Sequence, residues 1–146
     1  MLFQSKEASL RLEIMNYEVP ADGGDPAVDD RNWLVLRCTW QDEDGNIRKD
    51  SNGCLLTYEL REMTVGLKVL CAGLRDRYDS DFVSPYFELS ARAEGEDSFR
   101  AAVTFVLPNT MDGDDTAEVE CLMTQPELKA LVEELDRLCE KFPDRI

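Results

Sequence analysis

The chain has 146 residues, and a formal net charge of −15 because 31 acidic residues outnumber 16 basic ones. Its length predicts one domain, over residues 1–146, with a hydrophobic core of its own. The charge argues against nucleic acid and against an anionic membrane surface as partners, because both would repel the chain.

The opening segment, MLFQSKEASLRLEI, contains no apolar run of the length of a signal peptide or a membrane anchor. We therefore expect the chain to stay in the cytoplasm. The odd number of cysteines, five, agrees with a reducing compartment. Each lies in an apolar phrase, so we interpret them as reduced core residues: Cys38, Cys54, Cys71, Cys121 and Cys139.

The first half of the chain begins with two alternating segments. SLRLEIMNYEV predicts a strand whose inner face carries Leu10, Leu12 and Ile14. NWLVLRCTW predicts a second strand whose inner face carries Leu34, Leu36, Cys38 and Trp40. In DEDGN, the Asp44-Gly45 pair predicts a type I′ hairpin turn, which leads into a short strand from about Ile47.

A first helix is predicted from Thr57, its candidate N-cap, to a stop at Gly73. Its apolar stripe would be Leu60, Met63, Thr64, Leu67, Leu70, Cys71 and Leu74. Gly66 costs about 1 kcal/mol relative to alanine inside a helix, which predicts close approach by another backbone. Val65, Gly66 and Val69 are then either buried within the domain or an apolar strip for a partner or a second copy.

The second half repeats this order. FVSPYFELSAR and SFRAAVTFVL predict strands, the latter with Phe99, Ala101, Val103, Phe105 and Leu107 inward. The acidic loop PNTMDGDDT leads to AEVECLMT and a second helix, for which Thr124 and Glu127 predict a capping box. Its apolar stripe would be Leu128, Leu131, Val132, Leu135, Leu138, Cys139 and Phe142, and Pro143 follows its end.

The two helices have apolar residues at identical offsets, and Cys-Leu-(Leu/Met)-Thr precedes both, with one residue inserted in the second. This predicts an internal repeat of two β-β-β-α halves, over residues 8–74 and 82–142. The fold class is α+β: an antiparallel-rich sheet of about six strands with both helices on one face.

Little in the sequence points to catalysis. The chain has no histidine, which excludes a Ser-His-Asp triad, a Cys-His pair and a His-ligated metal. Phosphate-binding glycine motifs are missing, and neither DEDGN nor DGDD has the spacing of an EF-hand loop. We predict no catalytic residue, no metal and no cofactor, although a carboxylate pair could still perform acid–base chemistry.

Two acidic connections occupy equivalent places, between the second and third strand of each half. If both lie at one edge of the sheet, six carboxylates share it: Asp42, Glu43, Asp44, Asp112, Asp114 and Asp115. We predict that this edge docks on a basic partner. The alternative partner surfaces are an acidic loop at the opposite end, with Asp22, Asp25, Asp29 and Asp30, and the first-helix strip of Val65, Gly66 and Val69.

Three phrases, in this order, carry a resemblance to a known family. DDRNWLVL at 29–36, CLLTYEL at 54–60 and FVSPYFEL at 82–89 resemble the immunity proteins of WapA-type wall-associated toxins, the WapI family. The resemblance implies a small cytosolic bacterial protein that binds and neutralises the C-terminal domain of a polymorphic or contact-dependent toxin. Such domains are often nucleases, hence basic, and an acidic inhibitor suits them. The matching phrases are core phrases, so they assign no contact residue.

Two other functions stay open at this point. One is a non-catalytic binding or scaffold domain, which could be a homodimer or a larger assembly of identical chains. The other is a hydrolase that works with carboxylates, which would need an inward-facing pair in a deep pocket.

Overall fold

Alternating apolar and polar residues along the chain produce two antiparallel sheets of four strands each. The computed structural model describes residues 1–20, 29–107 and 115–145. The first sheet consists of β1 (Leu2–Gln4), β2 (Ser9–Tyr17), β3 (Trp33–Gln41) and β4 (Ile47–Leu56), and helix α1 (Thr57–Cys71) follows it. The second consists of β5 (Arg77–Asp79), β6 (Phe87–Ala93), β7 (Ser98–Leu107) and β8 (Asp115–Thr124), and helix α2 (Gln125–Lys141) follows. A 3-10 turn over Asp29–Asn32 precedes β3.

The α+β class is confirmed, but the sheet arrangement differs from the prediction. The structure has two sheets with strand orders β1-β2-β3-β4 and β5-β6-β7-β8, instead of one sheet of about six strands. The strands that sequence patterning missed are β1 and β5, which have three residues each and are too short to show an alternation. Each half therefore reads β-β-β-β-α. The two halves share this order of elements, and their origin by duplication stays a prediction.

One continuous core joins both sheets and both helices. The inner-face residues predicted for β2 and β7 are all buried. In β3, Leu34, Leu36 and Cys38 are buried, whereas Trp40 is half-buried at the end of the strand. The prediction for Leu74 was wrong: it is 77% exposed, because α1 ends at Cys71 and Gly73 turns the chain away with a φ of +75°.

The two helices begin in different ways. Thr124 is the N-cap of α2 as predicted, since its Oγ1 accepts the Glu127 N–H at 3.3 Å and Glu127 Oε1 accepts the Thr124 N–H at 3.1 Å. The N-cap of α1 is Leu56, so the assignment of Thr57 was wrong. Leucine offers no acceptor, and the capping depends on the glutamate three residues later.

That glutamate, Glu59, is a carboxylate buried to 1% exposure. Its Oε1 accepts the Leu56 N–H at 3.0 Å, and its Oε2 accepts the Val83 N–H at 2.7 Å. One side chain thus caps α1 and fixes the loop between β5 and β6. A buried carboxylate is stable only with such donors.

The repeated phrase is displaced by one residue between the two halves, and β4 contains a β-bulge within it. Leu34 pairs with Leu55 but Val35 pairs with Gly53, so Cys54 is an extra residue in β4. Glu59 and Glu127 both stand at the third position of their helices. Measured from that position, Cys-Leu-(Leu/Met)-Thr lies one residue closer to the helix in the first half than in the second. The two segments share the same residue types, but these residues do not occupy equivalent positions in the two halves of the structure.

The turn between β3 and β4 also differs from the prediction. A type I′ turn needs positive φ at both central residues, and Gly45 alone has a positive φ here, at +83°. Gly45 N–H donates to Asp42 O at 3.0 Å, and Asp42 N–H donates to Asn46 O at 3.0 Å. The chain therefore reverses through Asp42–Gly45, and the left-handed glycine then leads it into β4.

The five cysteines are free thiols. Cys38, Cys54 and Cys121 are buried, while Cys71 and Cys139 are half-buried at the edge of the core. Burial raises the pKa of the Cys38 thiol to about 12, with a smaller contribution from Asp50. Burial also raises the pKa of Cys54 to about 12, and the charge of Glu59 adds to it.

Replacement of Glu59 by alanine should lower the free energy of unfolding by about 3 kcal/mol, because it leaves two backbone N–H groups without an acceptor in or near the core. The matched control is Glu127→Ala, which removes the exposed counterpart in α2 and should cost about 1 kcal/mol. Urea unfolding of both variants measures the difference. Equal losses would mean that Glu59 does no more than cap its helix.

The buried thiols predict a pH dependence. Their raised pKa means that the folded state disfavours the thiolate, so stability is complete below the ordinary thiol pKa of 9.0 and falls as pH rises from there towards about 12.

In native protein at pH 9, an alkylating reagent should modify Cys71 and Cys139 and spare Cys38 and Cys54 until urea is added. Mass spectrometry identifies the modified residues. Uniform modification of all five would contradict the burial.

Candidate functional site

The turn after β3 and the start of β8 meet at one edge of the molecule, which we call the acidic edge: Asp42, Glu43, Asp44 and Asp115. Arg48 on β4 connects them. Its Nη2 lies 3.9 Å from Asp42 Oδ2, and its Nη1 forms an ion pair with Asp115. The remaining two predicted carboxylates, Asp112 and Asp114, lie outside the described residues.

The carboxylates of this edge have different tasks. Asp42 holds the turn, because its Oδ1 accepts the N–H groups of Asp44 at 3.0 Å and Asn46 at 2.9 Å. Glu43 and Asp44 are exposed and form no ion pair within the part of the chain that the structure describes. They are the carboxylates that an incoming cation can reach without breaking an internal contact.

Sequence reasoning missed Arg48 and its neighbour Trp40. The guanidinium lies 5.5 Å from the centroid of the Trp40 ring, which stands directly opposite it across the β3–β4 ladder. The predicted two-residue turn at Asp44-Gly45 would have paired Trp40 with Lys49, so only the observed register brings Trp40 and Arg48 together. Two carboxylates and the face of an indole ring surround the Arg48 guanidinium, and both kinds of contact are favourable for arginine.

The first alternative surface lies at the far end of β3. Asp22 and Asp25 lie outside the described residues, and Asp29 and Asp30 begin the 3-10 turn that enters β3 at Trp33. The acidic edge begins where β3 ends, after Gln41. Because the strand has nine residues, these two surfaces are about 30 Å apart along the sheet, at about 3.3 Å per residue.

The second alternative surface borders a groove of about 1460 Å³ beside the C-terminal half of α1. We call it the α1 groove. Its other walls are β5 and the turn between β6 and β7. Its apolar and aromatic lining includes Tyr58, Val65, Val69, Leu74, Tyr78 and Phe99.

Gly66 lies against a side chain of this groove. A Cβ atom at this position would stand 2.3 Å from Tyr78 Cδ1 and 2.6 Å from Tyr78 Cε1. The prediction of a close approach was right in kind, but the neighbour is a ring instead of another backbone. Burial raises the pKa of the Tyr78 hydroxyl, and the negative charges of Glu62 and Glu59 raise it further.

The described residues contain no group of three His, Cys, Asp or Glu side chains that could hold a metal ion. Glu59, the one buried charged side chain among them, already accepts two backbone N–H groups. Neither helix combines the length and the apolar character needed to span a bilayer.

The comparison with known proteins gives a match over nearly the whole chain. The model of the WapI-like immunity protein family covers residues 1–143. The chain belongs to this family. The resemblance carried by the three phrases is thereby confirmed, and WapI-like membership supports an immunity role for the chain. None of the curated proteins compared with it matches.

In this WapI-like chain, Gly66→Ala should be destabilising although alanine is the better helix former. The new methyl group meets the Tyr78 ring, so we expect a loss of about 1–3 kcal/mol in the free energy of unfolding. In a Tyr78→Ala background the same change should instead stabilise by about 1 kcal/mol, the difference in helix propensity. Denaturant unfolding of the four proteins in this cycle measures both values. A gain in the wild-type background would show that the ring moves away freely.

Proposed function

We propose that this WapI-like protein binds the C-terminal domain of a cognate bacterial toxin in the cytoplasm and neutralises it by occupying its surface. Membership of the immunity family over residues 1–143 supports this role. A mechanism by occupation needs no catalytic group, which suits a chain without histidine. Neutralisation by occupation is therefore stoichiometric, with one chain bound to each toxin domain.

The observation that carries the mechanism is the acidic edge on a chain of net charge −15. Arg48 draws Asp42 and Asp115 together and neutralises part of their charge, while Glu43 and Asp44 project from the turn beside them. A toxin domain that grips nucleic acid carries a basic cleft. An acidic edge is attracted to such a cleft and competes with the polyanion for it.

Co-expression tests the function itself. The cognate toxin domain, for which the neighbouring gene is the candidate source, should arrest growth when produced alone and permit growth when produced with this chain. The two proteins should also co-purify in equal amounts. Arrest that continues in the presence of soluble, folded chain, with no co-purification, would contradict the proposal.

The acidic edge predicts how fast the two proteins associate. Replacement of Asp42, Asp44, Asp114 and Asp115 by asparagine should slow association with the toxin domain at low salt and flatten its dependence on salt. Charges at the rim of an interface act mainly on the association rate. The fold should persist, because exposed ion pairs contribute at most about 1 kcal/mol each and asparagine keeps the acceptor that holds the turn. Stopped-flow or biosensor kinetics at several ionic strengths give the slopes.

The control removes the same number of charges elsewhere. The carboxylates replaced by glutamine are exposed ones remote in sequence from both segments of the edge: Glu88, Glu127, Glu133 and Glu140. This variant has the same net charge as the edge variant but should keep more of the wild-type salt dependence. Overlapping curves for the edge variant and the control would mean that net charge alone steers the encounter and that the edge has no special place in it.

A further inference from the structure

Exposed apolar side chains form part of the lining of the α1 groove. Val65 is 58% exposed and Leu74 is 77% exposed, and both line the same groove as the rings of Tyr78 and Phe99. Leu74 is exposed because Gly73 ends the helical stripe before it. Contiguous exposed apolar residues with a polar rim are typical of a surface that another molecule covers.

The rim of the groove carries a surplus of negative charge. Two of its arginines are already engaged, Arg61 with Asp144 and Arg77 with Asp79 at 2.6 Å. Three further carboxylates form no ion pair with any residue that the structure describes: Glu62, Asp76 and Glu96. Arg75 is the one arginine of the rim that likewise forms no ion pair with any residue that the structure describes. A ligand that complements this rim has apolar side chains flanked by lysine or arginine.

The size of the groove favours a segment of protein over a small molecule. Its volume, about 1460 Å³, exceeds the roughly 300–1,000 Å³ of small-molecule sites. An amphipathic helix that lays its apolar face into a groove is a common mode of recognition between proteins. The lining residues Val65, Val69 and Leu74 offer apolar contacts to such a face.

A second copy of the chain is a poor occupant. Each copy carries a net charge of −15, and each would bring the same carboxylates to the contact. Like charges that face each other across an interface are unfavourable. Charge complementarity therefore selects a cationic partner over a homodimer.

We infer that the α1 groove holds a positively charged amphipathic segment of the toxin domain. This inference rests on the proposed function and adds a second contact to it. The two surfaces have separate effects: the acidic edge sets the rate of encounter, and the apolar groove sets how long the complex lasts, because buried contacts act mainly on dissociation.

The test is the dissociation rate of the cognate toxin domain. Val65→Lys places a charged side chain among the apolar residues of the groove and should raise the dissociation rate about tenfold or more, as loss of a central interface contact does. The matched control is Leu122→Lys, which adds the same charge at a residue that is 57% exposed, close to the 58% of Val65, and that lies outside the groove. It should leave the dissociation rate within about twofold of wild type, as expected for a residue outside the contact.

The dissociation rates and the protection of cells together separate the groove inference from the proposed function. If Val65→Lys and Leu122→Lys both dissociate like wild type while wild type protects cells, the groove inference is wrong and the proposed function stands. If wild type neither binds nor protects, both are wrong. A wild-type dimer that Val65→Lys converts to a monomer, with toxin binding unchanged, would show that a second copy fills the groove. Should Val65→Lys fail to fold by circular dichroism, Val65→Ser must still raise the dissociation rate.

Discussion

The buried carboxylate of Glu59 makes the contacts on which the placement of the α1 groove depends. It accepts an N–H from the start of α1 and another from Val83, so the helix of the first half and the entry to the second sheet are held by one side chain. The loop it fixes continues into Phe82, whose ring stacks on Phe87 at 5.3 Å. Upstream of this anchored loop, β5 carries Tyr78 against Gly66. The α1 groove therefore lies between α1 and β5, two elements that the contacts of Glu59 help to hold in place. Removal of this carboxylate should affect the groove as well as the stability.

Much of the fold was predictable because it depends on local patterns. Alternation located the long strands, and the spacing of Leu128, Leu131, Val132 and Leu135 located α2 and its buried face. The errors arose where a distant contact overrides the local pattern. Thr57 looks like a cap, yet Glu59 caps the helix through a contact that also reaches Val83. The bulge at Cys54 and the short strands β1 and β5 are defined by pairing with other strands, which no short window of sequence shows.

The candidate surfaces were predictable to a similar degree. Asp42 and Asp115 belong to different sheets, and the contacts of Arg48 with both carboxylates show that they lie close together. The strip of Val65, Gly66 and Val69 was recognisable from a glycine inside an apolar helix. Its opposite wall was not, because Tyr78 stands on a strand of three residues and reaches Gly66 only after the chain has turned at Gly73. An apolar helix face indicates from the sequence alone that another part of the protein packs on it. Which residue packs there depends on the rest of the fold.

A single toxin domain that contacts both surfaces has to span β8, because Asp115 at its start belongs to the acidic edge and Gln125 just after its end lines the α1 groove, about 30 Å away at about 3.3 Å per residue. Hydrogen–deuterium exchange of the chain, alone and in complex with the cognate toxin domain, measures whether both surfaces are covered. We expect slower exchange in three exposed turns of the complex: residues 42–46 at the edge, and residues 72–76 and 94–97 at the groove. Protection confined to α2, with all three turns unchanged in a complex that still neutralises the toxin, would show that neither surface is the contact.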